Sequence, residues 1–130
     1  MALPKLPAHA QAGSYTPVAS SLTNVDSIAT LTGMYSVVGN LVSVVVDIND
    51  IEFTSTGVFD FEMTLPLAPG RNFAAAADVI GSGAVLVTAT VPSALHVTAV
   101  VASTRVQLAG SITIDAANNT GSVQFSYLLE

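Results

Sequence analysis

The chain has 130 residues, of which 51% are hydrophobic and only 9% are charged, with three Lys or Arg against nine Asp or Glu. High hydrophobicity with little charge excludes a disordered chain, and three cations are too few to neutralise a run of phosphates, which argues against a nucleic-acid partner. No cysteine is present, so disulfides and thiolate metal sites are excluded. The length suits one domain with its own core.

The first twelve residues differ from the rest of the chain in composition and in the pattern of apolar residues. Residues 1–12 contain Pro4 and Pro7 but no β-branched residue and no alternation of apolar with polar residues. Such a segment is too short and too rich in proline to fold alone, and the prolines occupy the place of the apolar part of a signal peptide. We therefore predict an extended N-terminal arm at residues 1–12 and a single domain at residues 13–130.

From residue 13 onward, apolar and polar residues alternate with a period of two, which predicts strands with one buried face each. The predicted strands are residues 31–38, 41–48, 58–65, 85–91, 95–101, 106–114 and 123–129. The uncharged stretch 79–104 is long enough to cross a bilayer as a helix. Its recurring Val and Thr favour strands instead, so no membrane partner is expected.

The turn residues fit the same scheme. Gly39-Asn40 separates two predicted strands by two residues, which predicts a tight hairpin. Asn118, Asn119 and Gly121 tolerate positive φ and predict another turn before the last strand. Short strands with one apolar face each are typical of sandwiches, so we predict an all-β fold, an antiparallel two-sheet β-sandwich of the jelly-roll type.

Two histidines are the candidate acid–base groups near neutral pH. His9 lies in the predicted arm, and His96 alternates with Leu95 and Val97, which places it on the outward face of a strand. No Ser-His-Asp arrangement can be assembled from these positions. We therefore expect that the protein is not an enzyme.

The densest cluster of oxygen ligands is Asp47, Asn49, Asp50 and Glu52. A calcium ion takes six to eight oxygens, but the cluster lacks the glycine and the distal Glu of an EF-hand loop. We interpret it as a solvated strand end that blocks edge pairing. Calcium binding is the alternative interpretation.

Two further patterns can be interpreted either as functional sites or as ordinary surface features. Asp60 and Glu62 share one strand face, as paired carboxylates of glycosidases do, but such pairs need a cleft and partners from other strands. A solubilising outer face is the simpler interpretation. Asn118-Asn119-Thr120 matches a glycosylation sequon, a pattern that also arises by chance. No glycine loop leads into a helix, so we predict no cofactor and no metal.

Several segments, in collinear order, resemble a domain of tailed-bacteriophage virion proteins with the pattern GTYTP…LTNV…YxRVGN…LPIASNF…FTFTY. The matching segments are residues 13–17 (GSYTP), 22–25 (LTNV), 35–40 (YSVVGN), 65–68 (LPLA), 72–74 (NFA) and 123–127 (VQFSY). Val37 stands where that domain usually has Arg, and residues 80–116 match only in strand character. The arm lies outside the resemblance.

The resemblance implies a small β-sandwich that serves as a virion surface component and has no catalytic residues. Its leading form is a capsid decoration or cement protein that binds and stabilises the shell; the alternative is a head or tail fibre module that binds a host surface glycan. The low content of charged residues also leads us to expect that assembly covers much of the neutral surface, because exposed apolar patches usually mark interfaces.

The expected partners are the major capsid protein and further copies of this chain, as a homotrimer on a capsid symmetry axis. The arm is expected to order on a neighbouring subunit. Its predicted partner-binding residues are Leu3, Pro4, Lys5, Leu6, Pro7 and His9.

Overall fold

The computed structural model describes residues 11–88, 91–113 and 119–129. Strands make up 70% of the structure, and the described residues contain no α-helix. The strands are β1 (Gln11–Tyr15), β2 (Ala19–Thr23), β3 (Val25–Val38), β4 (Leu41–Phe53), β5 (Gly57–Met63), β6 (Ile80–Thr88), β7 (Val91–Ala99), β8 (Val106–Ile112) and β9 (Asn119–Leu128). They form one antiparallel sheet in the order β1-β3-β4-β9-β6-β7-β8-β5-β2, which curls into a half-barrel.

The prediction of an all-β antiparallel fold is confirmed, whereas its division into two sheets is not found. Hydrogen bonds run without a break from β1 to β2. Alternation identifies the residues that face a core, but one curled sheet encloses a core as well as two flat sheets do. The hairpin at Gly39-Asn40 is confirmed, with Val38 paired to Leu41 and a φ of 65° at Gly39.

The chain departs from the prediction at two other places. Gln11 and Ala12, assigned to the arm, lie in β1. The turn predicted before the last strand is wrong for Asn119 and Gly121, which both lie in β9; Asn118 is outside the described residues. Asn119 is buried, and its Nδ2 donates to the carbonyl oxygen of Ile51, 3.0 Å away. That bond holds the start of β9 in the sheet.

The curl brings strands that are far apart in the sheet into contact. The rings of Phe53 of β4 and Phe59 of β5 pack in a tilted arrangement with centroids 4.6 Å apart, although four strands separate β4 from β5 in the sheet. Where β2 pairs with β5, the Thr64 amide donates to the Val18 carbonyl oxygen over 3.1 Å, and the Val18 amide donates to Thr64 Oγ1 over 2.9 Å. The short link between β1 and β2, residues 16–18, joins the two outer strands of the sheet, and these bonds hold it against the end of β5.

Glycines sit beside large side chains on the inner face. Gly33 of β3 pairs with Tyr15 of β1, and a Cβ at Gly33 would lie 2.6 Å from the Tyr15 ring atom Cδ1. On β6, Gly81 and Gly83 face the core between bulkier neighbours on β9. Alternation of small and large residues lets a curled sheet fill its interior. The glycines therefore allow the tight curvature.

Tyr127 of β9 holds the long loop that follows β5. Its hydroxyl donates to the Leu67 carbonyl oxygen over 2.6 Å and accepts the Leu67 amide over 3.3 Å. Phe73 packs edge-on against its ring, with centroids 6.4 Å apart. Burial raises the pKa of the Tyr127 hydroxyl to about 12, although its bond to Leu67 opposes that shift.

We expect the fold to lose stability in alkali, with Tyr127 as a main cause. Because its pKa is raised in the folded state, its contribution is complete below about pH 10, the pKa of an unfolded tyrosine, and is lost as pH rises towards 12. At pH 8, Tyr127→Phe is expected to lower the free energy of unfolding by about 2 kcal/mol, because the Leu67 amide loses its acceptor. Urea unfolding at pH 8 and pH 11 measures both effects.

The same titration supplies the check on this expectation. Tyr127→Phe lacks the ionisable hydroxyl, so its stability should fall less between pH 8 and pH 11 than that of the unaltered protein. Burial also raises the pKa of Tyr15, so some decline persists in the variant. An equal decline in both proteins would contradict the role given to Tyr127.

Candidate functional site

Two rows of paired residues on the outward side of the sheet each divide into an uncharged half, on β1, β3, β4, β9 and β6, and a half that contains charge, on β7, β8, β5 and β2. One row of paired residues crosses all nine strands: Ala12, Ser36, Ser43, Ser126, Ile80, Thr98, Gln107, Glu62 and Ser20. The next row runs from Ser14 through Met34, Val45, Gln124, Ser82, His96 and Ala109 to Asp60. Formal charge enters each row only at β5.

We name the uncharged half the neutral face. It consists of the exposed residues that β1, β3, β4, β9 and β6 contribute to the two rows: Ala12, Ser14, Met34, Ser36, Ser43, Val45, Ile80, Ser82, Gln124 and Ser126. Nothing in this set carries a formal charge. The side chains of the face point away from the core, so core packing places no constraint on their chemistry.

A shallow open depression of about 770 Å³ lies in the neutral face. Met34 and Ile80 line it and are 66% and 72% exposed, while the hydroxyls of Ser36, Ser43 and Ser126 line it between them. Beyond one end, the exposed Val38, Leu41 and Leu128 form a further paired row of apolar side chains. Large apolar side chains on the solvent side of several adjacent strands are typical of an interaction surface.

Charged groups lie along the borders of this surface. Asp47 follows Val45 on the outward side of β4. On the far half of the sheet, Arg105 Nη1 lies 4.0 Å from Glu62 Oε1 and donates to Ser20 Oγ over 2.6 Å. The ion pair is partly exposed, so it adds little to stability. Arg105, directly before β8, and Glu62 of β5 thus place opposite charges beside each other on the part of the sheet away from the neutral face.

The structure does not bring the predicted oxygen ligands into a metal site. The pairing of β4 with β9 shifts between Ile48 and Ile51, and Asp50 there has a φ of 58°. Within residues 11–88, 91–113 and 119–129, no three His, Cys, Asp or Glu side chains are placed to hold a metal. The interpretation as a blocked edge is wrong as well, because β4 lies inside the sheet between β3 and β9.

The other predicted positions are dispersed. His96 is exposed on β7, paired with Ser82 on one side and Ala109 on the other. Asp60 and Glu62 lie on the outward side of β5 as expected, and Glu62 is the partner of Arg105. The six arm residues given a partner-binding role, Leu3, Pro4, Lys5, Leu6, Pro7 and His9, lie outside the described residues. Asn118 of the sequon does too.

Most of the segments that carry the phage-domain resemblance make structural contacts. Tyr15 packs on Gly33, Asn24 binds the β4–β5 connection, and Tyr127 holds Leu67. These three contacts stabilise the fold and do not lie on the neutral face. The same segments also contribute Ser14, Ser36, Gln124 and Ser126 to the neutral face.

Comparisons with known proteins give no relative. No protein-family model, curated protein or solved structure matches this chain. Over the part of the chain that the structure describes, no helix is both long and apolar enough to span a membrane.

The neutral face could have been noticed in the sequence by one signal. Val45 occupies a position that alternation assigns to the solvent side, where a polar residue is expected. Met34 lies in the predicted strand 31–38, and Ile80 precedes the predicted strand 85–91. The register that puts the three residues near one another depends on β9 lying between β4 and β6. Periodicity contains no information on that order.

Proposed function

We propose that the protein is a structural component of a tailed-phage virion, a decoration or cement protein that binds the outer capsid surface and stabilises the shell. It assembles as a homotrimer, and the arm, now limited to residues 1–10 before β1, contacts the major capsid protein. The observation that carries the proposal is the neutral face, which gives a small acidic protein a broad surface suited to permanent contact. The phage-domain resemblance supplies the biological setting.

The physical argument concerns desolvation. Burying a charged side chain is costly unless a charged partner and hydrogen bonds compensate for the lost water. The neutral face contains no charged side chain. Met34, Val45 and Ile80 are already exposed to water, so covering them is favourable by roughly 25 cal/mol for each Å² of apolar area buried. Such a surface suits a protein that remains bound to other subunits, because covering it requires no desolvation of charged groups.

Binding to particles tests the proposal. Phage particles that lack this protein are mixed with the purified chain, separated on a density gradient, and analysed for copies bound per particle. We expect several hundred copies over the shell and a higher temperature of shell opening. A truncation that removes residues 1–10 leaves β1 intact, since β1 begins at Gln11, and should lose particle binding at least tenfold if the arm is the anchor.

Each result bears on one part of the proposal. Undiminished binding of the truncated chain would remove the role of the arm but keep the decoration role. A handful of copies at the tail, with binding to host glycans, would favour the fibre module instead. Absence of binding to any part of the particle would refute the proposed function.

A further inference from the structure

We infer that the neutral face is covered by further copies of this chain, with the Met34 side of one copy packed against the Ile80 side of the next. The inference rests on the self-assembly in the proposed function and assigns it a surface. It also separates two contacts, because a face used between copies leaves the arm and the charged half of the sheet for the capsid.

Charge favours a second copy as the occupant. The chain has a net charge of -6, so copies repel one another wherever their carboxylates meet. Asp26, Asp60 and Glu62 lie outside the neutral face, and Asp47 marks its border. Contact through this face brings two acidic proteins together while keeping these carboxylates at the rim, where water and salt screen them.

The polar groups of the face are suited to pairing with themselves. Serine hydroxyls and the Gln124 amide each donate and accept hydrogen bonds, whereas a carboxylate only accepts and an ammonium only donates. The hydroxyls of Ser36, Ser43, Ser82 and Ser126 on one copy can therefore be satisfied by the same kinds of group on another. A surface that recognises a charged partner would instead carry charges of the opposite sign, and such charges could not pair with a second copy of the same surface.

The shape of the face suggests a head-to-tail contact. Met34 lies on β3 and Ile80 on β6, which are three strand spacings apart, or about 14 Å. The side chains between them on β4 and β9 include the small Ser43 and Ser126. A contact that joins the Met34 side to the Ile80 side uses two different patches, and such a heterologous contact forms a ring when the rotation between neighbours closes and an open filament when it does not. Three copies close the ring of the proposed homotrimer.

A matched pair of charge substitutions tests the surface. Ile80→Asp and Val58→Asp each place one carboxylate at an exposed β-branched residue on the outer side of the sheet, 72% and 71% exposed. Only Ile80 lies on the neutral face. Sedimentation equilibrium should show trimers for the unaltered chain and for Val58→Asp. Ile80→Asp should dissociate into monomers, with half-assembly shifted to at least about tenfold higher concentration by the buried unpaired charge.

Cysteine crosslinking tests the pairing of the two sides. The natural chain has no cysteine, so Met34→Cys with Ile80→Cys in one chain gives disulfide-linked species of up to three chains after mild oxidation. Mixing the two single variants should give linked dimers of one chain of each kind. Met34→Cys with Val58→Cys is the control and should give no linked trimer. Particle binding is measured on the same variants.

The outcomes separate this inference from the proposed function. A trimer that Ile80→Asp and the cysteine pair leave unaffected overturns the surface assignment, while particle binding still supports decoration. An unaltered chain that sediments as a monomer or as a dimer overturns the three-fold ring. Loss of particle binding by Ile80→Asp with an unchanged trimer mass makes the neutral face the capsid contact instead. Correct trimers that never bind particles uphold the surface and refute decoration.

Discussion

Replacing Gly83 by alanine is expected to lower the free energy of unfolding by about 3 kcal/mol, the upper end of the usual effect of overpacking. Gly83 lies in β6 and faces the core next to β9. A Cβ there would collide with the Ser122 carbonyl oxygen and would lie 2.7 Å from the Cα of Val123. These are backbone atoms, so no change of rotamer relieves the contact. β6 has to move away from β9 in the middle of the sheet.

Urea unfolding of Gly83→Ala beside Ser111→Ala measures the effect. Ser111 is an exposed residue of β8, so its substitution keeps the strand and removes only a solvated hydroxyl, with an expected change within about 0.5 kcal/mol. A Gly83→Ala protein as stable as the Ser111→Ala protein would contradict the close approach of β6 and β9. A fall in the unfolding midpoint at unchanged slope would support it.

Gly83 also illustrates what the sequence could and could not predict. Alternation correctly placed Val85 in a strand with one buried side, because burial on one side of a strand imposes a period of two. The bounds were wrong, because the predicted strand 85–91 begins within β6 and ends at Val91, the first residue of β7. Alternation assigned no role to Gly81 or Gly83, which extend that strand by alternating with Ser82. A glycine in a strand interrupts the apolar pattern of the sequence. In this fold it marks the position where the backbone of a neighbouring strand approaches closely.

The strands β1 and β2 were not predicted, for a related reason. Their sequences, QAGSY and ASSLT, are small and polar, and the edges of the sheet bury little of them. The strand order was out of reach as well, because β9 is placed between β4 and β6 by long-range pairing. The neutral face depends on that order, so its residues could be classified as outward but could not be assembled into one surface.

The candidate chemistry shows the same limit. Asp47, Asn49, Asp50 and Glu52 are close in sequence, and a regular strand would have set them on alternate faces. The irregular pairing near Asp50 changes that alternation, so all four lie on the side opposite the buried Ile48, Ile51 and Phe53. A shift of register is not visible in composition. Among the described residues, even this shared side does not bring three acidic or histidine side chains together to hold a metal. The exposed apolar residues, each unremarkable alone, became informative only in the sheet.

The second large effect is expected at Asn24, the residue between β2 and β3. Its backbone has a φ of 57°, and its side chain clamps the connection between β4 and β5. Asn24 Nδ2 donates to the carbonyl oxygens of Ser55 and Val58 over 2.9 and 3.2 Å. Asn24 Oδ1 accepts from the amide and the hydroxyl of Ser55 over 3.0 and 2.9 Å. One side chain thus satisfies four groups of a loop 31 residues or more away along the chain.

Asn24→Ala is expected to lower the free energy of unfolding by about 2–4 kcal/mol, because it removes four partly exposed hydrogen bonds and places a Cβ without compensation in the left-handed region. Asn24→Gly removes the same bonds but tolerates the positive φ, so its loss should be smaller by about 1 kcal/mol. The difference between the two variants isolates the backbone contribution.

Ser21→Ala is the matched control for these variants. Ser21 is exposed, has a φ of 52° and precedes Asn24 by three residues, so its substitution keeps an L residue in the same backbone region and leaves the clamp in place. Its stability should stay within about 0.5 kcal/mol of the unaltered protein. Equal losses for Asn24→Ala and Asn24→Gly would show that the strained backbone contributes nothing. Losses no larger than that of Ser21→Ala would show that the clamp does not contribute to the stability of the curled sheet.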